Sequence, residues 1–317
     1  MEIKTKFSIG DKVFRIDDCR VVNTEITGLF HCNIEVVTNP KHKDPEKARR
    51  IYTNYRIGTG EIIEEKFLFA TDAYNMKHIA SISFGKDSLA MLLLLIEKKY
   101  PLDEVVFYDT GKEFQAIYDT RDKVLPLLKS LGIKYTELMP EMPFDYKMFD
   151  KPVKKRGTDI VHKHGYSWCG GTCRWGTTDK LKELERYADG NIEYVGLTYD
   201  EPMRLEKERN GNKVFPLAEW QMSEMQCLEY CYSKGFLWNE EGVRLYDILD
   251  RVSCWCCRNK NLKELKNIFI HLPKYWDKLR SVQGRLKEPM KGKGKSLFEL
   301  EARFKREAEL CSETFKH

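Results

Sequence analysis

The chain has 317 residues, 42% of them hydrophobic and 12% aromatic, with 54 basic against 49 acidic side chains and a formal charge of +5. That length exceeds a typical domain of roughly 100–200 residues, and that apolar content excludes a disordered chain. No apolar run nears the roughly 18 residues of a membrane helix and MEIKTKFSIGDKV holds no signal core, so a cytoplasmic protein away from the membrane is expected.

Residues 1–72 alternate apolar and polar in short bursts: KVFRI, RVVNTEITGLF, CNIEVV and EIIEEKFLF. Turn signals at Asp17-Asp18, Gly28, Asn39-Pro40 and Gly58-Thr59-Gly60 separate them, and a charged loop, PKHKDPEKARR, spans 40–50. Short strands at this spacing predict a small antiparallel β module, a barrel or a sheet.

From residue 78 strand-like and helix-like runs alternate: IASIS, SLAMLLLLIEKKY, EVVFY, EFQAIYDTRDKVLPLLKSL, IKYTEL, then TDKLKELERY and IEYVGL. The order βαβαβ predicts a parallel sheet flanked by helices, an α/β domain over 73–260. Residues 261–317, with NLKELKNIFIHL and KSLFELEARFKREAEL, predict a helical C-terminal extension. Ligands of open parallel sheets sit beyond the carboxyl ends of the strands. Three polar clusters occupy such ends: SFGKDS (83–88), DTG (109–111) and GLTYDE (196–201).

A strand turning tightly into a helix aims free N–H groups and the positive helix end at one spot, which suits a phosphate. SFGKDS lacks the spacing of a Walker A loop. Ser83, Gly85 and Ser88 offer hydroxyls and closely approached backbone, and Lys86 a compact charge. Asp87 suits Mg²⁺, a ribose or a helix cap, and a plain strand-to-helix turn is the alternative. The positive runs KKRG (154–157) and KEPMKGKGK (287–295) read as solvated loops or as a polyanion-binding surface.

SFGKDS resembles the S-G-G-x-D-S pyrophosphate loop of the ATP-pyrophosphatase superfamily. VVFYDTGKEFQAIYD (105–119), GLTYDEPMRL (196–205) and FPLAEWQMSEM (215–225) resemble, in order, segments of its PAPS reductase branch. The resemblance covers roughly 78–260 and implies a nucleotide alpha-hydrolase-like (Rossmann-like) domain. It implies an adenine nucleotide, ATP or a phosphoadenylyl nucleotide with Mg²⁺, held by the loop Ser83, Phe84, Gly85, Lys86 and Ser88 with Asp87 beside the phosphates. Asp109, Thr110 and Gly111 would lie near the nucleoside, and Glu201 and Arg204 match the third motif. Departures exist: the loop is one glycine short, Thr198 stands where sulfonucleotide reductases carry arginine, and ELCSETFKH misses the spacing of their E-C-G-(I/L)-H tail.

Seven of ten cysteines fall between 169 and 257. In a reducing compartment such clusters mean metal or redox chemistry rather than disulfides. Cys169 and Cys173 form one pair and Cys254 and Cys257 a second, enough for a 4Fe–4S cluster, a Zn²⁺ staple, or neither. The resemblance favours the cluster. Arg174 and Arg258 would offset thiolate charge, and Trp168, Trp175 and Trp255 would shield the site. Cys256, unligated, is a thiol placed to carry or relay sulfur. Cys227 and Cys231, four apart on a predicted helix, read as core packing. His162 and His164 are left outside the site.

The reading that follows is a PAPS reductase-family enzyme performing ATP-dependent adenylylation coupled to sulfur transfer, with Lys86, Asp87 and Cys256 as the reacting groups. One alternative is sulfonucleotide reduction with an external thiol. Another is a nucleic-acid-modification or defence component whose β module binds DNA or RNA. A sulfur or thiol donor protein is an expected partner, and the chain is compatible with an oligomer.

Overall fold

The protein, in a computed structural model, is described over residues 76–207 and 213–314 and over five strands between residues 12 and 70. The turns expected at 39–40 and 58–60, most of the charged loop 40–50, His317, and the side chains of Trp175 and Cys311 lie outside the described residues.

The N-terminal strands are β1 (Lys12–Asp17), β2 (Arg20–Val36), β3 (Arg49–Ile57), β4 (Ile62–Glu64) and β5 (Phe69–Ala70). They pair antiparallel in the order β4-β3-β2-β1-β5. Gly28 is not a turn. It lies inside β2, where the register against β3 shifts between Ile26 and Gly28, because a glycine within a strand accommodates a bulge as readily as it ends one.

Next come β6 (His78–Ile82), α1 (Lys86–Glu97), β7 (Glu104–Tyr108), α2 (Gln115–Ser130) and β8 (Lys134–Leu138). A hairpin, β9 (Pro152–Lys154) and β10 (Val161–His164), and α3 (Asp179–Ala188) lead to β11 (Ile192–Val195). Then follow α4 (Pro202–Lys207), β12 (Lys213–Val214), α5 (Pro216–Glu219) and α6 (Glu224–Ser233). The short pair β13 (Asn239–Glu240) and β14 (Val243–Arg244) precedes α7 (Leu245–Ile248), α8 (Leu262–His271), α9 (Pro273–Arg285) and α10 (Leu297–Thr314). Strands β12-β11-β6-β7-β8 form a five-stranded parallel sheet, so the fold is α/β as the alternation predicts. None of the described helices is long and apolar enough to cross a membrane.

Burial explains why these segments take these forms. All five residues of β7 are buried, and so are four of five in β6, the pattern of strands covered on both faces. Helix α1 buries Leu89, Ala90, Met91, Leu92 and Leu95 completely, so it is enclosed nearly all round rather than laid on a surface. In α2 the buried Ala116, Ile117, Thr120, Val124 and Leu128 follow the helical repeat and form one inward stripe. Asn261 and Glu264 cap α8 reciprocally.

The chain forms two compact units. One comprises 1–81, 87–105 and 188–227; the other comprises 82–86, 106–187 and 228–317. In the first unit His78 is buried, with Nδ1 2.8 Å from the Tyr194 hydroxyl, and its backbone N–H donates to Asp103 Oδ2 at 2.7 Å. Burial holds its imidazole below the ordinary value, against the opposing pull of the Asp103 carboxylate. The unfolded chain therefore binds the proton more readily, and stability rises with pH wherever that is so. The stability from a neutral His78 is complete above about pH 6.5, the unfolded value, and is lost as pH falls below it. Thermal melts from pH 8 to 5.5 should show the midpoint dropping at the acid end, with a shallower drop in His78→Gln.

Candidate active site

The turn from β6 to α1 is built around Phe84. Its φ is +55°, in the left-handed region that a side chain disfavours, at the position where the S-G-G-x-D-S pattern has glycine. Here the ring supplies compensation: it is fully buried, edge-on to Phe107 at 5.2 Å. Trp238 Nε1 donates to the Phe84 carbonyl at 2.8 Å. The missing glycine thus leaves the backbone bend in place, held by packing instead of by freedom of rotation.

Around the bend, Gly85 N–H points at Ser83 Oγ (3.4 Å), and Lys86 N–H donates to the Tyr246 hydroxyl (2.8 Å). A Cβ on Gly85 would stand 3.2 Å from that hydroxyl, so the turn and Tyr246 are in close contact. Cys231 Sγ donates to the Lys86 carbonyl at 3.3 Å. Lys86 and Ser88 are buried, and Asp87 lies in the first turn of α1, where a carboxylate suits the helix dipole. Gly196, of the third motif, reaches this helix: its Cβ would lie 2.9 Å from Ser88 Cα, so no larger residue fits. Two residues on, Thr198 is fully buried with Oγ1 3.5 Å from Glu201, and Glu201 pairs with Arg204 at 2.5 Å.

At the end of β7, Asp109 Oδ1 accepts from Gly111 N–H (2.7 Å) and from the Tyr118 hydroxyl (2.8 Å). Gly111 has φ +70°, which the DTG turn requires. Thr110 Oγ1 donates to Glu113 Oε1 at 2.9 Å and lies 3.6 Å from Cys254 Sγ. Cys254 Sγ is 3.9 Å from the same carboxylate oxygen, and Trp255 N–H donates to the Lys112 carbonyl at 2.9 Å. The DTG turn and the second cysteine loop are therefore one structure.

The two cysteine loops meet. Cys169, Cys173, Cys254, Cys256 and Cys257 all line one cavity of about 100 Å³, with Met148 and Trp168 among its walls. Asn259 ties the loops, its side chain accepting from Gly171 N–H (2.9 Å) and donating to Gly171 O (2.8 Å). The Cys173 and Cys254 sulfurs lie 3.4 and 3.8 Å from the point a Gly176 Cβ would occupy. Burial, reinforced by Glu113, pushes the Cys254 thiol well above its ordinary value, and burial does the same to Cys256. Burial likewise lifts the Glu113 carboxyl and lowers the Lys260 ammonium. Among the described residues no three potential ligands already converge on a single metal-sized point.

Arg258 belongs to this cavity and donates to the Trp168 carbonyl at 3.2 Å. Arg174 gives its backbone N–H to Cys169 Sγ (3.5 Å), while its guanidinium sits over the Tyr166 ring at 4.9 Å. Trp255 is buried against Tyr275, outside the cavity wall. Cys227 and Cys231 are fully buried on α6, also away from it. His162 and His164 are exposed on β10, facing backbone carbonyls of Val153 and Asp150. Sequence reasoning overlooked Tyr246, Trp238, Glu113 and Asn259. For Glu113 and Asn259 a signal existed, as polar residues two positions beyond DTG and beyond the second cysteine pair; for Tyr246 and Trp238 there was none.

A model of the phosphoadenosine phosphosulfate reductase domain matches residues 77–240, just over half the chain. An uncharacterized protein of Methanocaldococcus jannaschii, MJ0066, is 27% identical over 221 residues, 64% of this chain and 41% of its own length. The chain thus spans well under half of that relative. The U34-tRNA thiolase NcsA of Methanococcus maripaludis, solved with its 4Fe–4S cluster, aligns over 74% of this chain and 73% of its own at 17% identity and a TM-score of 0.34. On the match across the sheet, the phosphate-type turn and the DTG turn, the chain belongs to the PAPS reductase family.

Proposed function

We propose that the protein binds ATP at the turn Ser83–Ser88 and adenylylates an oxygen of a substrate, after which a sulfur nucleophile bonds to the carbon that bore it as the carbon–oxygen bond breaks and AMP leaves with that oxygen. The observation that carries this reading is the join between Thr110, Glu113 and Cys254, which couples a strand-end turn of the family's nucleotide-binding type to a cavity lined by five thiols.

In the first step the substrate oxygen bonds to the α-phosphorus and the bond to pyrophosphate breaks. Backbone N–H groups at the start of α1 would bind the phosphate chain, and the Lys86 ammonium would offset charge that builds on the leaving group. Asp87 is a carboxylate suited to Mg²⁺ beside those phosphates. Asp109 and Gly111 shape the adjoining turn, where the nucleoside is expected. Glu201, held by Arg204 and Thr198, is the acidic group of the third motif.

The cysteine cavity fits a thiolate-held metal group. Burial makes the Cys254 and Cys256 thiols resist ionisation with no cation beside them, which is the condition a bound metal reverses. Trp168 Nε1 is buried without a hydrogen-bond partner in the cavity wall, a donor suited to an inorganic sulfide. Four thiolates suit either a zinc or a 4Fe–4S core, and the Trp168 donor favours the group that carries sulfide. Cys169, Cys173, Cys254 and Cys257 would hold the group. When bound it supplies a site for sulfur. Cys256, buried in the wall of the same cavity, is the thiol left over from that set, and a sulfane sulfur brought by a persulfide donor would be transferred to it by thiol exchange, the donor leaving as its thiol.

The test is pyrophosphate release from ATP and Mg²⁺ in the presence of candidate acceptors, run beside sulfite release from PAPS with thioredoxin. The reading expects the first and not the second; the reverse pattern would replace it with sulfonucleotide reduction.

A further inference from the structure

A second cavity, of about 420 Å³, opens beside the first cysteine loop. Thr172 and Arg174, which flank Cys173, are in its wall. Four cationic side chains line it, Lys147, Lys151, Arg174 and Lys182, against the single carboxylate of Asp179. Lys147 pairs with that carboxylate. Among the described residues no ion pair neutralises Lys151, Arg174 or Lys182. The Arg174 guanidinium lies over the Tyr166 ring, 4.9 Å from its centre, so the wall is both aromatic and cationic.

From the rim of this cavity rises the hairpin β9–β10. Its base is locked to the rim: Gly165 N–H donates to the Lys151 carbonyl at 2.8 Å, and a Cβ on Gly165 would lie 2.3 Å from the Met148 carbonyl. The hairpin and its tip expose Lys154, Lys155, Arg156 and Lys163, and their one carboxylate, Asp159, is paired with Lys154. Ile160 and Val161 are exposed beside them, 61% and 43% accessible.

A small anion would need the cavity alone. Cations in the cavity wall together with further cations on the exposed hairpin joined to its rim match a ligand with regularly repeated charge. The cavity is large enough for one nucleotide but not for a duplex. Exposed aliphatic side chains give unstacked bases an apolar surface, and the Arg174–Tyr166 pair puts in the cavity wall the planar groups on which bases stack. We infer that this cavity and the hairpin Pro152–His164 hold the phosphodiester backbone of a single-stranded nucleic acid, one nucleotide of which sits beside the Cys173 loop. This rests on the sulfur-transfer reading for its role and gives that reading its acceptor class.

The experiment uses the full chain, purified without oxygen, and labelled 20-nucleotide single strands of RNA and of DNA, with anisotropy recorded across a salt series. Two variant sets are compared with the parent: Lys154→Ala with Lys155→Ala and Arg156→Ala, and Lys151→Ala with Lys182→Ala. Each should weaken binding by about tenfold or more, and the triple set should flatten the salt slope by about 2, at roughly 0.7 per phosphate contact. Whichever sugar binds more tightly identifies the source. Unchanged affinity and slope in both sets, preference for a duplex, or equal binding of polyglutamate would overturn the inference. Thermal melts confirm that the variants remain folded. If ATP releases pyrophosphate but no strand binds, this inference falls and the nucleotide reading stands; if strands bind through these residues but ATP is not turned over, the nucleotide reading falls instead.

Discussion

Lys86→Ala is expected to lower ATP-dependent pyrophosphate release about 100- to 1000-fold, the loss typical of removing one preorganised group aimed at developing charge. The side chain is buried at the first position of α1, so its charge acts in a medium that screens it weakly. Its backbone N–H meets Tyr246 and its carbonyl meets Cys231, and both contacts survive truncation of the side chain. The bend itself is held by Phe84 and Trp238. Turnover should therefore fall far more than the melting temperature. Lys86→Arg should recover little, because a planar fork does not reproduce a compact ammonium. Unchanged release in Lys86→Ala would show that the turn is only a turn.

Cys254→Ser should strip the protein of bound metal, by more than the roughly 10- to 100-fold that changes in the outer shell of a metal site produce. Cys254 is the cysteine that touches Thr110 and Glu113, so it joins the metal question to the nucleotide question. Cys227→Ala is the control. That thiol is fully buried on α6, and it should cost stability while leaving metal content alone. Iron, zinc and acid-labile sulfide measured on anaerobic samples read the difference. Equal metal in Cys254→Ser and the parent would remove this cysteine from the ligand set.

How much of this was visible in the sequence follows from how local each feature is. Strands β6 and β7 and helix α1 are written in continuous apolar runs, and the break between them, SFGKDS, can only be a turn. The two cysteine pairs announce themselves by spacing, and the fold brings both to one cavity. The conformation of Phe84 could not be read, since glycine is the usual sign of a left-handed residue and the compensation comes from Phe107 and Trp238, far along the chain. Tyr246 meets Lys86 across 160 positions, with no motif to mark it. The cationic cavity was hidden for a related reason. Lys147, Lys151, Arg174 and Lys182 are ordinary charges until π-helical turns at Tyr146–Asp150 and Arg174–Thr178, the second running into α3, bring them to the same wall. KKRG reads from sequence as a solvated loop or a polyanion surface, and nothing in the sequence marks that its hairpin begins right after Lys151, a residue of that cavity's wall.

The most direct measurement is a crystal structure with a non-hydrolysable ATP analogue and Mg²⁺. Phosphate oxygens within hydrogen-bonding distance of the Gly85–Ser88 backbone N–H groups, with the Lys86 ammonium against them, are the predicted result. Analogue bound elsewhere, with the Tyr246 hydroxyl still on the Lys86 N–H, would contradict it.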